Sequence, residues 1–247
     1  MNDFVIVIPS RYASTRLPGK PLRDINGKTM LEHVFERATE SSASDVVIAT
    51  DDERIAEAGE GFGARVCMTG DQHRSGTERI AEVCDLMDWP DDRVVVNLQG
   101  DEPTMPAALI DQCAGLLDDH SADIATLASP LASRSDFENP NVVKVIVADN
   151  GNAIYFSRAA IPYARVRRHQ AEARDSALHH HGIYAYRCGV LRRFVAAEPS
   201  GIEMCEQLEQ LRALSLGMTI RVATPVERPG AGVDTEADLV AAARDLS

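Results

Sequence analysis

The sequence predicts an α/β fold built on an open, doubly wound and largely parallel sheet. Three largely apolar runs rich in β-branched residues, at 4–8, 46–49 and 94–98, are typical of parallel strands that are covered on both faces. Stretches with helix signals separate these runs, and polar loops follow the first and the last of them. Such alternation implies right-handed crossovers and a sheet whose ligands bind beyond the carboxyl ends of its strands.

Helix start signals support this prediction in the first half of the chain. Thr29 precedes Glu32, and Thr50 precedes Glu53, in the spacing of a capping box, which marks where a helix begins. The predicted elements are a strand at 4–8, a loop at 9–28, a helix at 29–39, a strand at 46–49, a helix at 50–59, a strand at 64–67, a helix at 76–87 and a strand at 94–98.

The second half of the chain is less regular. Residues 157–177 mix Arg, Pro and small side chains, which indicates an inserted arm, and Thr235 with Asp238 resembles a capping box for the last helix. No internal repeat or clear linker is present, so we expect a single domain over 1–247 with an arm or subdomain around 130–200. The predicted elements are strands at 123–128, 142–147, 182–187 and 219–223 and a helix at 202–216.

Composition and charge narrow the class of protein. The 247 residues carry a net charge of −13, which argues against nucleic-acid or anionic-membrane binding, since both need a basic face. The five cysteines are scattered without a C-x-x-C pair, as expected of reduced thiols in a cytoplasmic protein. The apolar run at 4–8 is too short for a signal sequence or a membrane span, so we expect no membrane insertion.

The loop at 9–21 concentrates positive charge in this acidic chain. Arg11, Arg16 and Lys20 fall within ten positions, and Gly19 permits close approach of the backbone to a ligand. Guanidinium and ammonium groups suit phosphate oxygens, although a solvated loop with incidental charge remains an alternative on composition alone. The loop matches neither the P-loop pattern nor the dinucleotide-binding G-x-G-x-x-G pattern.

The same loop carries a family resemblance. The string Arg-x-x-Ser-Thr-Arg-Leu-Pro-Gly-Lys-Pro at 11–21 resembles the signature loop of sugar nucleotidyltransferases, and further motifs follow in order along nearly the whole chain. Together they resemble the 3-deoxy-manno-octulosonate cytidylyltransferases, or CMP-Kdo synthetases. The motifs include Asn-Gly-Lys at 26–28, Cys-Met-Thr at 67–69, Ser-Gly-Thr-Glu-Arg at 75–79, Asn-Leu-Gln-Gly-Asp-Glu-Pro at 97–103, Asn-Pro-Asn at 139–141, Tyr-Phe-Ser-Arg at 155–158, Gly-Ile-Tyr at 182–184, Leu-Glu-Gln-Leu-Arg at 208–212 and Gly-Val-Asp-Thr at 232–235.

The resemblance implies a fold, a reaction and a partner. It implies a Rossmann-like nucleotide-diphospho-sugar transferase fold with a mixed, mostly parallel sheet, helices on both faces and an inserted dimerisation arm that builds a homodimer. The implied reaction is CTP + 3-deoxy-D-manno-octulosonate (Kdo) to CMP-Kdo + diphosphate, which activates Kdo for lipopolysaccharide biosynthesis. No Ser-His-Asp or Cys-His set is evident, so direct displacement is favoured over a covalent intermediate.

The resemblance also implies roles for individual residues. Asp101 and Asp234 would hold a catalytic Mg²⁺, although from the residues alone the first also suits a turn and the second a helix N-cap region. The implied catalytic residues are Arg11, Lys20, Asp101 and Asp234, and the implied nucleotide-binding residues are Arg11, Ser14, Arg16, Lys20, Ser75, Arg79 and Gln99.

The implied sugar site depends on polar side chains from the second half of the chain. His179 and His181 flank His180 where the family tends to have Arg and Leu, which affects how the sugar carboxylate is recognised. A solvated loop edge is the alternative for this tract, and zinc is disfavoured because no i,i+4 or Cys partner accompanies it. The implied sugar-binding residues are Gln99, Arg158, His180, Tyr184, Glu209 and Gln210.

Three rival functions stay open at this point. One enzyme would activate an 8-amino form of Kdo, and another would activate a nine-carbon, sialic-type acid. The arm and the motif at 208–212 follow the Kdo pattern, which disfavours the sialic-type enzyme. The third rival is a non-catalytic nucleotide-binding regulator, which would not need both Asp101 and Asp234.

Overall fold

A computed structural model describes residues 3–13 and 17–246 of the chain. Its strands alternate with helices through the first half, as the sequence predicts. The strands are β1 (Phe4–Pro9), β2 (Asp24–Ile25), β3 (Lys28–Thr29), β4 (Asp45–Thr50), β5 (Arg65–Met68), β6 (Val94–Asn97), β7 (Ile124–Pro130), β8 (Lys144–Val147), β9 (Ala153–Ser157), β10 (Leu178–Arg187) and β11 (Ile220–Ala223).

The helices begin at capping residues where the sequence signals them. Thr29 accepts a hydrogen bond from the backbone N–H of Glu32, and Thr235 forms a complete capping box with Asp238. The helices are α1 (Met30–Thr39), α2 (Glu53–Gly61), α3 (Gly76–Leu86), α4 (Ala107–Gly115), α5 (Arg134–Glu138), α6 (Gln170–Asp175), α7 (Cys188–Val195), α8 (Gly201–Glu206), α9 (Gln210–Ser215) and α10 (Glu236–Asp245).

The main sheet is mixed and mostly parallel. Its order is β11-β7-β10-β6-β1-β4-β5, with β8 added beside β10 and β9 beside β8. The pairs β1–β4, β1–β6, β4–β5 and β7–β11 are parallel, whereas β10 runs antiparallel between β6 and β7. The carboxyl ends of β1 and β6 therefore lie side by side at one edge, where the predicted phosphate loop and the Asp101 loop begin.

Helices cover both faces of the sheet. On one face a core forms around α3 and α7, with Ile80, Leu191 and Phe194 buried among the strand side chains. On the other face α1 and α4 pack onto the sheet through Leu31 and Leu109. This arrangement confirms the predicted fold class, because strands with two covered faces must be apolar on both.

A third, smaller core joins the two ends of the chain. Leu17 and Ile25 from the loop after β1 pack with Val233 and Leu239, which flank the start of α10. Asn26 reinforces this contact, since its side-chain amide donates to the α10 backbone. These contacts hold the carboxyl-terminal helix beside the loop at 9–21, which lies more than two hundred positions earlier in the sequence.

The structure corrects two of the predicted helices. The predicted helix at 202–216 is two helices, α8 and α9, because Gln207 between them adopts the left-handed conformation with φ 53°. The helix predicted from Thr50 is capped by Asp52 instead, whose carboxylate accepts from the backbone N–H of Arg54. Elements α4, α7 and β9 lie outside the predicted set, and neither α4 nor α7 begins at a residue whose side chain caps it.

The predicted arm is an excursion between β9 and β10. It contains the short helix α6, and its exposed residues include Tyr163, whose side chain is 87% accessible. The division into one domain with an arm around 130–200 stays a prediction. Among the described residues, every helix is too short or too polar to cross a bilayer.

Candidate active site

A cleft of about 630 Å³ opens at the carboxyl ends of β1 and β6. Its walls come from the loop after β1, the start of α3, the loop after β6 and the segment before α10. The lining residues that the sequence singles out are Arg11, Lys20, Ser75, Arg79, Gln99, Asp101 and Asp234. The fold thus gathers into one cavity most of the positions predicted to bind nucleotide and metal.

Two aspartates converge on one cation inside this cleft. The Nζ atom of Lys20 lies 2.6 Å from the Oδ2 atom of Asp101 and 3.0 Å from the Oδ1 atom of Asp234. Lys20 is only 12% exposed, so these ion pairs are shielded from solvent more than surface pairs are. The two carboxylates, 133 positions apart in sequence, therefore face the same small volume.

Backbone contacts bring the two aspartates together. The N–H of Val233 donates to the backbone carbonyl of Asp101 at 2.8 Å, which aligns Asp234 beside the loop after β6. The chain before it also runs very close to that loop. A Cβ atom on Gly230 would lie 2.0 Å from the Oγ1 atom of Thr104, so only glycine fits this approach.

The loop after β1 delivers Lys20 through a single left-handed residue. Gly19 has φ 65° and precedes a short 3-10 helix over Lys20–Leu22, which turns the lysine back toward the sheet edge. Arg11 is exposed and lines the same cleft. Ser14 and Arg16, which the sequence also assigns to nucleotide binding, lie outside the described residues.

Negative charge is in excess where Asp101 and Asp234 face each other. Burial together with the neighbouring carboxylates of Asp101 and Asp234 raises the pKa of Glu102 to about 8, and Lys20 only partly opposes this shift. Glu102 is therefore mostly protonated near neutral pH, and one lysine still faces the two carboxylates of Asp101 and Asp234. This imbalance favours a further cation at the same place.

The donor set fits Mg²⁺ in its usual mode of binding. Within residues 3–13 and 17–246, no group of three or more His, Cys, Asp or Glu side chains is arranged to hold a metal. Mg²⁺ typically binds through one or two carboxylates, with phosphate oxygens and water completing its six positions. Asp101 and Asp234 supply such a pair, beside a cleft large enough for a nucleotide.

The amino terminus of α3 forms another wall of the cleft. Ser75 caps the helix by accepting from the N–H of Glu78, and Gly76 brings the first turn against Pro9. The positive end of this helix dipole favours an anionic or electron-rich ligand. Arg79 is buried there, with its guanidinium 3.2 Å from the carboxylate of Asp51 and also donating to Thr69.

A second, smaller cavity of about 160 Å³ adjoins the first. Gln99 lines both cavities, so the two lie next to each other. Tyr184, Glu209 and Gln210, three of the predicted sugar-binding residues, line the smaller cavity. Its described walls hold no Lys or Arg, and Glu209 is their one charged side chain.

Two hydroxyl groups at this site have no partner among the described residues. The Oγ atom of Ser10 in the large cleft and the phenol oxygen of Tyr184 in the small one are both buried and unpaired. Buried hydroxyls are normally hydrogen-bonded, and leaving one unpaired costs about 1–3 kcal/mol. Both residues line the cavities, with their hydroxyl oxygens covered rather than exposed.

Two predicted sugar-site residues, His180 and Arg158, are absent from the described lining of the small cavity. His180 is buried, hydrogen-bonds the hydroxyl of Thr126 and packs its ring against that of Tyr184, with a centroid distance of 5.2 Å and an angle of 47° between the ring planes. Burial, with smaller effects of the adjacent histidines, lowers its pKa to about 3, so the ring is neutral. Arg158 is engaged by three backbone carbonyls.

Several residues of the site have no role predicted from the sequence. Thr77 donates to the carboxylate of Glu209 at 2.8 Å, and Asn97 accepts from the side-chain amide of Gln99 at 2.9 Å. Asn97 ends a buried strand at the ligand-binding edge, which is a usable signal, whereas Thr77 has no signal of its own. Glu102 lies in the motif at 97–103, but the family resemblance implies no role for it.

Comparison with known proteins identifies a matching family and a similar solved structure. The family described as cytidylyltransferase matches residues 5–220. A solved CMP:2-keto-3-deoxy-manno-octonic acid synthetase complexed with CTP is 42% identical, with a TM-score of 0.91 over 99% of this chain and 98% of that one.

Two more distant structures share the fold alone. A cytidylyltransferase from Leptospira borgpetersenii serovar Hardjo-bovis is 18% identical, with a TM-score of 0.61 over 96% of this chain and 84% of that chain. A 4-diphosphocytidyl-2C-methyl-D-erythritol synthase from Anaerococcus prevotii is 13% identical, with a TM-score of 0.62 over 99% and 98%.

Proposed function

This chain belongs to the cytidylyltransferase family and, within it, to the CMP-Kdo synthetases, and we propose that the two joined cavities carry out that reaction with a divalent cation between Asp101 and Asp234. The reaction joins the CMP group of CTP to Kdo and releases diphosphate. The observation that carries the proposal is the convergence of both aspartates on Lys20 at the ligand-binding edge of the sheet.

The protein's own groups account for binding and orienting the triphosphate. Lys20 and Arg11 place positive charge where the phosphates of CTP enter, and the amino terminus of α3 adds its dipole. The same charges offset the negative charge that develops on the departing diphosphate. Holding both reactants in one cavity removes much of the entropic cost of their meeting.

A Mg²⁺ ion bound by Asp101 and Asp234 would supply Lewis acidity, which lowers the pKa of a hydroxyl and balances phosphate charge. The excess of negative charge around Glu102 supports this assignment. Lys20 would then be released toward the phosphates, as expected of a flexible ammonium group. Magnesium dependence and the roles of the individual site residues are part of the proposal.

The small cavity suits the hydroxyl-bearing part of the acceptor sugar. Its unpaired Tyr184 hydroxyl and the Glu209 carboxylate can pair with sugar hydroxyls, while no cation in its described walls could pair with a carboxylate. The sugar's carboxylate therefore belongs on the cationic side of the site. An 8-amino group would also suit Glu209, which keeps the 8-amino-Kdo enzyme as a rival.

Assembly and cellular role complete the proposal. Strand β9 lies at the sheet edge and exposes Ile154, and α8 exposes Met204, each at 58%. Exposed apolar side chains at an edge strand support a homodimer contact. All five cysteines are free thiols, which suits a reducing cytoplasm, where the product would serve lipopolysaccharide biosynthesis.

A diphosphate-release assay tests the proposal. CTP would be supplied with Kdo, with 8-amino-Kdo or with a sialic-type acid, each at saturating Mg²⁺ and again with EDTA. We expect release with a Kdo-type acid, abolition by EDTA and recovery when Mg²⁺ is restored. Full activity in EDTA would contradict the metal site, and CTP binding without turnover of any acid would favour the nucleotide-binding regulator.

A further inference from the structure

Lys144 is a buried cation that the proposed reaction does not use. Its side chain is inaccessible, and its Nζ atom donates to the carbonyls of Asn139, Val142 and Arg158 at 2.8, 2.6 and 2.7 Å. Removing a charged group from water is costly unless its donors are satisfied, and these three carbonyls satisfy them. Lys144 thereby ties the segment before β8 to the end of β9, at the base of the arm.

Arg158 continues the same network into a neighbouring turn. Its Nε atom donates to the carbonyl of Glu206 at 2.7 Å, and its Nη2 atom to that of Gln207 at 3.3 Å. Its Nη1 atom donates to the carbonyl of Pro140 at 3.1 Å. The carboxylate of Glu206 in turn accepts from the Arg158 backbone N–H and from the Ser157 hydroxyl.

This turn determines where the small cavity's charged residue lies. Gln207 holds the left-handed conformation that ends α8, and the carbonyls at such a helix end lack partners within the helix. Arg158 supplies partners for two of them. The chain then continues directly into Leu208, Glu209 and Gln210, which line the cavity.

We propose that Arg158, supported by Lys144, is a positioning residue that holds the 206–207 turn and so places Glu209 against Thr77 in the sugar pocket. The inference rests on the proposed function for its effect on catalysis, but its structural part stands apart from it. Direct binding of the sugar by Arg158 is the alternative to be tested, since three of the five guanidinium N–H donors serve carbonyls and two remain.

Hydrogen exchange of the protein without substrates tests the structural part. In Arg158→Met, we expect amides at 207–211 to exchange about 10-fold faster or more, because the turn loses its carbonyl partners. Amides of α3 should keep their wild-type rates, and Arg158→Lys should restore part of the protection. Lys144→Met should show the same local change in weaker form. Wild-type exchange at 207–211 in Arg158→Met would overturn the inference.

Steady-state kinetics test the catalytic part, with Arg165→Met on the exposed arm surface as the matched control. Arg158→Met should raise the KM for the sugar acid about 10-fold and leave kcat and the KM for CTP within about 2-fold, since only the acceptor pocket is loosened. Arg165→Met should match the wild type. Arg158→Lys should fall between the two, which general loss of folding would not produce.

A double-mutant cycle separates positioning from direct contact. If Arg158 acts through Glu209, Arg158→Met should add less than about 2-fold to the KM of a Glu209→Gln protein. Fully additive effects would show that Arg158 contacts the sugar directly and would overturn the inference. A wild-type protein that turns over no sugar acid would instead refute the proposed function, and the exchange result would then decide this inference alone.

Discussion

The two cavities of the site differ in how they are built and in what they can recognise. The large cleft concentrates charge, with Lys20 between two aspartates and Arg11 at its rim. The small cavity is lined by neutral polar and aromatic groups around a single carboxylate, Glu209. The charged cavity suits phosphates and the proposed metal, whereas the neutral one suits a ligand recognised by hydrogen bonds and shape.

This contrast predicts whether a substitution should lower turnover or weaken acceptor binding. A charge removed from the large cleft should lower turnover, because charge develops there during the reaction. A polar group removed from the small cavity should instead weaken acceptor binding. Four predictions test this division, in order of decreasing effect.

The largest effect is expected at Asp101. We expect Asp101→Asn to lower kcat by about 100-fold or more, because it removes half of the proposed metal-binding pair. Stability to urea should stay within about 1 kcal/mol, since relief of repulsion among the carboxylates offsets the lost ion pair with Lys20. Asp92→Asn, at an exposed loop carboxylate, is the control for turnover and unfolding. Wild-type kcat in the Asp101 variant would contradict the metal role.

A smaller effect is expected at Glu209. Glu209→Gln keeps the shape of the side chain but removes its charge, so sugar hydroxyls or an ammonium lose a strong acceptor. The KM for the sugar acid should rise about 10-fold, and the KM for CTP should not change. Glu57→Gln, on the exposed face of α2, controls for loss of surface charge. An equal rise in both KM values would mean that the two cavities do not divide the substrates as described.

A third prediction concerns pH and the wall behind the small cavity. Burial lowers the pKa of His180 to about 3, so below pH 6.5 the unfolded chain takes up a proton that the folded protein does not. Stability should therefore fall as the pH drops below 6.5, by about 1–2 kcal/mol at pH 5.5 from this residue. Urea unfolding from pH 7 to 5.5 should show a shallower loss in His180→Gln. The exposed His169→Gln should keep the wild-type slope, and identical slopes in all three proteins would contradict the assignment.

The smallest effect distinguishes two neighbouring tyrosines. Tyr184 has an unpaired buried hydroxyl, whereas that of Tyr186 hydrogen-bonds Thr77 and Asn97. Tyr184→Phe should leave stability equal or up to about 1 kcal/mol higher and raise the KM for the sugar about 3-fold, while Tyr186→Phe should lose about 1 kcal/mol. Thermal unfolding and KM measurements check both. A clear loss of stability in Tyr184→Phe would mean that its hydroxyl is paired within the protein.

Local sequence signals were sufficient for the first half of the fold. Apolar β-branched runs and capping residues reflect interactions between residues that are close in sequence. The positions of β1, α1, β4 and β6 therefore agree with the predicted ones. The second half was less predictable. The helix expected over 202–216 breaks at Gln207, because the tertiary contacts of Arg158 and Glu206 stabilise a conformation that glutamine rarely adopts.

The sequence by itself determined the fold class, the phosphate loop and the list of polar residues that a nucleotidyltransferase would use. The tertiary structure alone decided which of them meet: the small core of Leu17, Ile25 and Val233 brings Asp234 to Asp101. It also decided that Arg158 and His180 do not line the small cavity. Motifs report the chemistry of side chains, but burial and long-range backbone contacts determine where they point.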